Sequence, residues 1–274
     1  MLTSWCLRAA LVGAITVGTG GCALDVEEEE VTESAQSGIV GGSATSAQPA
    51  VGAIIWFAEK RFCSAFLVAP RIVMTAAHCV QGQRVPDGFF VGPGNRETKP
   101  RASMADLDNF TRYPVEAKAV HPSYDPNAGN LTTLSGTMLR FRNDVALLRL
   151  KGDLSTITPL KVAGSPAPVG TTCTAIGYGF DAESGTLGGL RKRSASVKVA
   201  SVSTHNIEVK AVTGEPAKGD SGSPLLCSGT VRGVLSFYYW TNTTSNDRDF
   251  YQRTSEMRSW ANTVATKWGV GGLS

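Results

Sequence analysis

Residues 75–79 of this 274-residue chain are Thr-Ala-Ala-His-Cys, and two more segments with reactive side chains follow. Residues 143–148 are Asn-Asp-Val-Ala-Leu-Leu, and residues 219–224 are Gly-Asp-Ser-Gly-Ser-Pro. In chain order they supply an imidazole, a carboxylate and a hydroxyl. A serine hydroxyl is a poor nucleophile at neutral pH unless an imidazole takes its proton and a buried carboxylate orients that imidazole. The three segments therefore predict a serine nucleophile with a base and an orienting acid.

Each of these segments contributes one candidate catalytic residue. His78 is the candidate general base and acid, Asp144 begins an apolar run that would bury its carboxylate, and Ser221 is the candidate nucleophile. A buried charge is costly without a partner, and the imidazole would be that partner. The order His, Asp, Ser differs from the orders of subtilisin-type enzymes and α/β-hydrolases. From Ile39 to the C-terminus, the chain resembles the trypsin/chymotrypsin family of serine proteases.

The pattern of apolar residues indicates an all-β fold. From Ile39 onward, short apolar runs alternate with turn residues and show no βαβ rhythm. Near the C-terminus apolar residues recur at three- and four-residue steps, and we expect Ser255 to cap a helix there. The resemblance implies two antiparallel six-stranded β-barrels, at residues 39–155 and 156–274, with a C-terminal α-helix. The active site would lie in the cleft between the barrels.

The resemblance also implies an oxyanion hole and an activation step. Gly219 has no Cβ, so its N–H can turn toward a substrate oxyanion together with the N–H of Ser221. Asp220 would pair with the ammonium of Ile39 after the chain is cut between Gly38 and Ile39, so the protein would be made as a zymogen. Because Gly38 is neither Arg nor Lys, we expect an activating protease that is not trypsin-like.

The residues that would line the substrate pocket are the least typical of the family. By resemblance they are Glu215, Lys218, Ser236, Phe237, Tyr238 and Asp249. The two carboxylates favour a cationic side chain before the cut, because a buried carboxylate is costly when it is unpaired. Tyr238 would narrow the entrance, and Lys218 would neutralise one carboxylate. Cleavage after Arg or Lys is the first expectation, and cleavage after small or medium apolar residues is the alternative.

The N-terminal region has the features of an export signal followed by a propeptide. Within residues 1–23, Arg8 precedes an apolar stretch that is too short to span a bilayer. Small residues around Cys22 suit a signal peptidase, and the same segment resembles a bacterial lipoprotein signal in which Cys22 is lipidated. Either route predicts a protein that is secreted or lipid-anchored outside the cytoplasm. Residues 24–38 contain four consecutive glutamates and would form a disordered acidic propeptide.

Two of the six cysteines lie in the export signal, and the remaining four suggest two disulfides in an exported domain. Sequence alone leaves three pairings open. The resemblance implies Cys63 with Cys79 and Cys173 with Cys227. No motif predicts a cofactor or a metal. The segment Asp-Pro-Asn-Ala-Gly-Asn at residues 125–130 lacks the closing Glu of an EF-type calcium loop, and we expect a solvated loop there.

The charge of the chain limits its partners. The formal net charge is only +3, which does not favour nucleic acid. The expected partners are a protein or peptide substrate and an activating protease, for a monomeric enzyme that contacts a membrane only through a lipidated Cys22. His78 and Asp144 are farther apart than is usual in the family, which indicates an insertion between Phe90 and Phe141. The alternative function is a protease-fold binding protein with a blocked pocket and little turnover.

Overall fold

The structure of the protein, a computed structural model, describes the residues of the two barrels and the terminal helix. The described residues are 39–82, 84–92, 107, 109–128, 130–133, 136–139, 141–179, 190–239 and 248–273, with backbone alone at 130–133, 136–139, 238 and 239. The predicted export signal and acidic propeptide, at residues 1–38, lie outside this range.

The described residues form sixteen strands, one 3-10 turn and one α-helix. In chain order these are β1 (Ser43–Ala44), β2 (Val51–Trp56), β3 (Arg61–Ala69), β4 (Ile72–Thr75), η1 (His78–Val80), β5 (Gly88–Val91), β6 (Thr111–Tyr113), β7 (Val115–Val120), β8 (Asn130–Thr133), β9 (Gly136–Leu139), β10 (Ala146–Leu150), β11 (Thr172–Gly177), β12 (Arg193–Val202), β13 (Asn206–Ala211), β14 (Pro224–Cys227), β15 (Thr230–Tyr239), β16 (Arg248–Arg253) and α1 (Thr254–Lys267).

The first barrel is an antiparallel sheet with the strand order β6-β5-β2-β3-β4-β10-β7. β6 and β7 stand at opposite ends of this order, yet Pro114 alone separates them in the chain. Because proline has no N–H to donate, it interrupts the ladder of what is one extended strand. The sheet therefore closes into a ring of six strands. Apolar side chains without solvent exposure fill its interior, among them Ile54, Phe66, Phe89 and Leu147.

The second barrel has the strand order β12-β11-β14-β15-β16-β13, and β13 also pairs with β12 to close the ring. Its core includes Val197, Leu225 and Tyr251, which have no solvent exposure. Ile39 is buried in the same core, and β1 pairs with β12. The segment that precedes the first barrel therefore packs on the second. The predicted all-β fold of two six-stranded barrels is confirmed.

The segment between β7 and β10 overlaps the range from Phe90 to Phe141 in which an insertion was predicted. β8 and β9 form an antiparallel hairpin there. Asp125 lies before this hairpin and pairs its backbone with that of Arg142 behind it. The Oδ1 of Asp125 accepts a hydrogen bond from the N–H of Asn127 at 2.8 Å. Asp125 and Asn127, in the segment expected to form a solvated loop, therefore precede the hairpin, and Asp144 follows it.

Helix α1 follows the second barrel and also contacts the first. The ring of Trp260 lies 4.9 Å from that of His121, which follows β7. The guanidinium of Arg149, in β10, lies 5.7 Å from the ring of Trp268 at the helix end. The aromatic residues that predicted this helix from their spacing thus connect the two barrels. No helix within the described ranges is long and apolar enough to cross a bilayer.

The predicted cap of this helix was wrong. The helix begins at Thr254, one residue before Ser255, and Arg253 occupies the cap position without a capping side-chain hydrogen bond. The guanidinium of Arg253 instead lies 2.9 Å from Glu256 in the first turn. A continuous passage from β16 into the helix places the backbone turn one residue earlier than the serine.

Two disulfides brace the barrels, with the pairing that the family resemblance implied. Cys63 in β3 is bonded to Cys79 in η1, and Cys173 in β11 is bonded to Cys227 in β14. The first disulfide attaches the turn that carries His78 to the core of the first barrel. The predicted barrel boundary after residue 155 falls between the end of β10 and the start of β11.

Candidate active site

His78 and Asp144 meet where the end of β4 lies beside the start of β10. The Nδ1 of His78 is 2.7 Å from Asp144 Oδ2, and the backbone N–H of His78 donates to Oδ1 at 2.8 Å. The Asp144 side chain has no solvent exposure, whereas 22% of the His78 side chain is exposed. A carboxylate on Nδ1 fixes the tautomer of a neutral imidazole, so Nε2 carries the lone pair. This arrangement can accept a proton from a neighbouring hydroxyl.

Two residues of the second barrel complete the surroundings of Asp144. Ser236 in β15 donates its hydroxyl to Oδ2 at 2.6 Å, and Gln252 in β16 accepts the Asp144 N–H at 3.3 Å. Gln252 has no solvent exposure. Its Nε2 donates to the Phe141 carbonyl at 3.2 Å and to Asn206 Oδ1 at 2.6 Å. Groups from both barrels therefore hold the buried acid.

Ser221 lies in a loop that glycine residues shape. Gly219 has φ +91° and Gly222 has φ +84°, both in the left-handed region that favours glycine. A Cβ at Gly219 would come within 2.9 Å of the Phe62 ring, and one at Gly222 within 2.2 Å of Thr75 Oγ1. Any other residue at either position would move the loop. Ser221, between them, is partly exposed.

The backbone of this loop leaves two N–H groups open. In the part of the chain that the structure describes, neither the N–H of Gly219 nor that of Ser221 donates to a protein acceptor. The N–H of Asp220, between them, is occupied because it donates to the Ala217 carbonyl at 3.0 Å. Two open N–H groups beside a hydroxyl can bind the oxygen of a polarised carbonyl group.

The hydroxyl of Ser221 and the imidazole of His78 are not hydrogen-bonded to each other among the described contacts. His78 Nε2 lies 3.7 Å from the Sγ of Cys79, and the same sulfur lies 3.8 Å from the Ser221 carbonyl oxygen. The Cys63–Cys79 disulfide thus contacts both residues. Such nucleophile–base hydrogen bonds are often long until a substrate is bound.

Asp220 is fully buried and accepts hydrogen bonds from three backbone N–H groups. Its Oδ2 accepts from Ile39 at 2.9 Å and Ala217 at 3.0 Å, and its Oδ1 accepts from Gly179 at 2.8 Å. Burial raises the pKa of Asp220 to about 6, although these N–H groups oppose the shift. Ile39 has φ +35°, which is a rare conformation for a β-branched residue. The structure therefore brings together the two residues of the predicted activation pair.

The residues predicted to line the substrate pocket have different surroundings. The hydroxyl of Ser236 is directed to Asp144, and the ring of Phe237 stacks on Phe250 at 4.8 Å. Lys218 is exposed. The side chain of Tyr238 lies outside the described part of the structure, so the expected narrowing of the entrance stays a prediction.

The two acidic pocket candidates differ in burial. Glu215 is partly buried and pairs its backbone with that of Val40, next to the buried Ile39. Asp249 in β16 is 4% exposed. Burial, followed by the charges of Asp249 and Asp220, raises the pKa of Tyr251 well above its ordinary value. Of the two acids, Asp249 is the more buried, and its charge affects Tyr251.

Sequence reasoning missed two buried polar residues of the site, Ser64 and Gln252. The hydroxyl of Ser64 accepts a hydrogen bond from the N–H of Tyr178 at 2.9 Å and donates one to the carbonyl of Gly219 at 3.2 Å. No motif marks either residue. For Ser64 the usable signal was a polar residue inside a mostly apolar strand, since a buried polar group must find a partner, whereas the polar strand around Gln252 gives no such signal.

Within the described residues, one group of potential metal ligands includes the base itself. The Sγ atoms of Cys63 and Cys79 and a ring nitrogen of His78 are close enough together to share an ion. The thiolate is the form of cysteine that binds metals. Both sulfurs are joined in the disulfide, so they offer no thiolate.

Comparison with known proteins agrees with this geometry. The model of the family described as Trypsin matches residues 39–261. Mouse (Mus musculus) chymase is 28% identical over 215 residues, spanning 74% of this chain and 78% of chymase, and human (Homo sapiens) azurocidin is 29% identical over 222 residues, spanning 77% and 80%. A solved structure of human heparin binding protein superposes with a TM-score of 0.64 at 25% identity, covering 86% of this chain and all of the other. This chain belongs to the trypsin family and is a serine endopeptidase.

Proposed function

We propose that this endopeptidase is exported as a zymogen and cleaves peptide bonds through an acyl-enzyme intermediate, with His78, Asp144 and Ser221 as its catalytic triad. The observation that carries the proposal is the fully buried Asp144 carboxylate, which receives both the Nδ1 and the backbone N–H of His78. If His78 and Asp144 were only a solvent-exposed ion pair on the surface, the carboxylate would not have to be fully buried. Such a carboxylate suits an imidazole that becomes positively charged during turnover.

The reaction follows from the positions of these groups. The Ser221 hydroxyl attacks the carbonyl carbon of the substrate while His78 Nε2 takes its proton, and the carbonyl oxygen becomes an oxyanion that the N–H groups of Gly219 and Ser221 stabilise. The C–N bond then breaks, and His78 returns the proton to the leaving amine. A water molecule hydrolyses the resulting ester on Ser221 by the same steps. Asp144 orients the imidazole and compensates its charge throughout.

The contact between Ile39 and Asp220 supports activation by a cut after Gly38. In the full chain, a neutral peptide N–H of Ile39 donates to the buried carboxylate. Cleavage would turn that group into an ammonium, which compensates a buried negative charge far better than an amide does. The cut would also remove the backbone restraint behind the unusual φ of Ile39. In the activated protein, the loop of residues 219–222 that carries the oxyanion hole (the oxyanion loop) would thereby be fixed in position.

Asp249 supports a preference for a basic residue before the cut. It is buried, and its charge acts on the hydroxyl of Tyr251. A cationic substrate side chain would be attracted to this carboxylate. The half-buried Glu215 is the second candidate, and its backbone contact with Val40 leaves the role of its side chain to be tested.

Labelling with a fluorophosphonate tests the proposed function. The cut protein that begins at Ile39 should be labelled on Ser221, as mass spectrometry of its peptides would show, and Ser221→Ala should not be labelled. Absence of labelling in the cut, folded wild-type protein would favour the alternative of a protease-fold binding protein with little turnover. N-terminal sequencing of the exported protein, with a search for lipid on Cys22, tests the two export routes.

Peptide cleavage profiling tests the pocket. Matched peptides with Arg, Lys, Ala, Leu or Phe before the cut would be compared by kcat/KM. Arg or Lys should be preferred, and Asp249→Asn should reduce that preference more than Glu215→Gln does. If Ala or Leu exceeds both basic residues, the acidic pocket is wrong and a pocket narrowed by Tyr238 replaces it.

A further inference from the structure

Ser64 is a buried polar residue with a partner for each of its polar atoms. It follows Cys63 in β3 and has no solvent exposure. Its backbone N–H donates to the Ser221 carbonyl at 2.9 Å, and its carbonyl accepts the hydroxyl of Thr75 at 2.9 Å. Its own hydroxyl accepts the N–H of Tyr178 at 2.9 Å and donates to the Gly219 carbonyl at 3.2 Å. One residue of the first barrel thus contacts both ends of the candidate oxyanion loop.

The hydroxyl of Ser64 also belongs to the surroundings of Asp220. Tyr178, its donor, is followed by Gly179, whose N–H donates to Asp220 Oδ1. A Cβ built on Gly177 would lie 3.1 Å from Ser64 Oγ and 2.3 Å from Asp220 Oδ1. The hydroxyl and the carboxylate therefore share a tightly packed space, with backbone of the second barrel between them.

These contacts restrain the loop in a way that Asp220 does not. Asp220 and its N–H partner on Ile39 act from within the core of the second barrel. Ser64 reaches the loop from the first barrel. Gly219 has a φ of +91°, in the region where glycine has wide conformational freedom. A hydrogen bond on its carbonyl limits rotation of the peptide groups on either side of it.

We propose that Ser64 is a positioning residue for the oxyanion hole. Its hydroxyl holds the Gly219 carbonyl so that the N–H groups of Gly219 and Ser221 point at the substrate. The inference rests on the proposed function of this loop. Ser64 does not touch the substrate, and acts only through the backbone that does. Loss of its hydroxyl should weaken stabilisation of the transition state and leave binding of the ground state unchanged.

Two substitutions in the cut protein test this role, with a matched control. Ser64→Ala removes the hydroxyl, and Ser64→Gly removes the whole side chain. Ser223→Ala is the control, because Ser223 is 1% exposed, lies in the same loop region, and its hydroxyl has no partner among the described residues. Melting temperature, kcat, KM and the pH–kcat profile would be measured for all of them. Wild-type labelling by the fluorophosphonate is recorded first.

Ser64→Ala should lower kcat by about tenfold to a hundredfold, less than the loss on deleting an oxyanion donor outright. KM and the midpoints of the pH–kcat profile should stay unchanged, since the base and its acid are untouched. Ser223→Ala should behave as wild type. Unchanged kcat in either folded Ser64 variant overturns the inference, as does unfolding of both, which would mark a structural role. An unlabelled wild-type protein would instead refute the proposed function.

Discussion

The two halves of the candidate active site are built by different means. His78 and Asp144 are fixed by side chains, since Ser236 and Gln252 of the second barrel hold the acid that orients the base. The loop around Ser221 is shaped mainly by glycine conformations and backbone hydrogen bonds, and the Ser64 hydroxyl adds one side-chain hydrogen bond. Its one buried charge, Asp220, depends on N–H donors that include Ile39.

Because of this difference, cleavage after Gly38 can change the loop around Ser221 but not the pair of His78 and Asp144. The pair of His78 and Asp144 is complete in the full chain, and no hydrogen bond joins it to Ile39 among the described residues. The nucleophile loop, by contrast, rests on a carboxylate whose pKa burial raises to about 6, which means that its charged form is poorly compensated. A switch that acts on Ile39 therefore changes the oxyanion loop and leaves the base in place.

The largest expected effect comes from removing a reacting group, either the Ser221 hydroxyl of the nucleophile loop or the imidazole of His78. Ser221→Ala and His78→Ala should each lower kcat by about a millionfold, because triad residues act as a unit. The double variant should be little worse than either single variant. Peptide hydrolysis by the cut proteins measures this, with Ser223→Ala as the active control. Multiplicative losses in the double variant would show that the two sides do not act together.

The next effect concerns the cut itself. The uncut chain should be at least about a hundredfold less active than the chain that begins at Ile39, comparable to the loss of an oxyanion donor. Asp220→Asn in the cut chain should be similarly impaired. Hydrolysis rates before and after cleavage, with N-terminal sequencing, decide this. Full activity in a purified uncut chain would end the idea that the nucleophile side depends on Ile39.

The stability of the uncut chain should depend on pH through Asp220. The pKa of this carboxyl is about 6 in the folded chain and 3.8 ordinarily, so the folded state binds the extra proton between pH 4 and 6. The free energy of unfolding should therefore fall as pH rises through this window, by about 3 kcal/mol in all. Burial causes the shift, and the ammonium of Ile39 in the cut chain should reduce the fall.

Urea unfolding at pH 4 and pH 7 measures this fall, in chains that carry Ser221→Ala to prevent self-cleavage. Asp220→Asn in the uncut chain is the control, because it has no titrating carboxyl. Equal pH dependence in the cut and uncut chains would mean that the charge of Ile39 does not act on Asp220.

Local sequence patterns were enough to predict the roles of His78 and Asp144 and the all-β class of the fold. Short motifs around His78 and Asp144 indicate their chemistry, the strand-rich pattern predicted an all-β fold, and the four cysteines predicted two disulfides. The two barrels and the pairing of the cysteines came from the family resemblance. The hairpin of β8 and β9 was not predicted, because Asn130–Thr133 is mostly polar and lacks the alternation of apolar and polar residues that marks a strand. The early start of helix α1, at Thr254, follows from its continuity with β16 rather than from a capping residue.

The supports of the site were harder to predict because they are long-range. Ser64 touches Gly219 across 155 positions in the chain, and Gln252 touches Asp144 across 108. No local spacing encodes either contact. Ser236 was expected in the pocket wall, yet its hydroxyl is directed to the Asp144 carboxylate, which only the position of β15 beside the first barrel determines. Buried polar residues are therefore the part of such a site that needs the structure.

The smallest expected effect on kcat tests whether side chains alone hold the pair of His78 and Asp144 in place. Gln252→Leu would leave the Asp144 N–H, the Phe141 carbonyl and Asn206 without their amide partner, so the free energy of unfolding should fall by about 1–3 kcal/mol. A small displacement of Asp144 should lower kcat by about tenfold, equivalent to about 1.4 kcal/mol in the barrier. Unlike Ser64→Ala, this change should also move the acid limb of the pH–kcat profile, because that limb reports on the base and its partner. Asn206→Ala, which removes one contact of Gln252 and keeps its bond to Asp144, is the matched control and should retain kcat. Equal kcat losses in both variants would mean that general loosening of β13 and β16, rather than the hydrogen bond to Asp144, fixes the base.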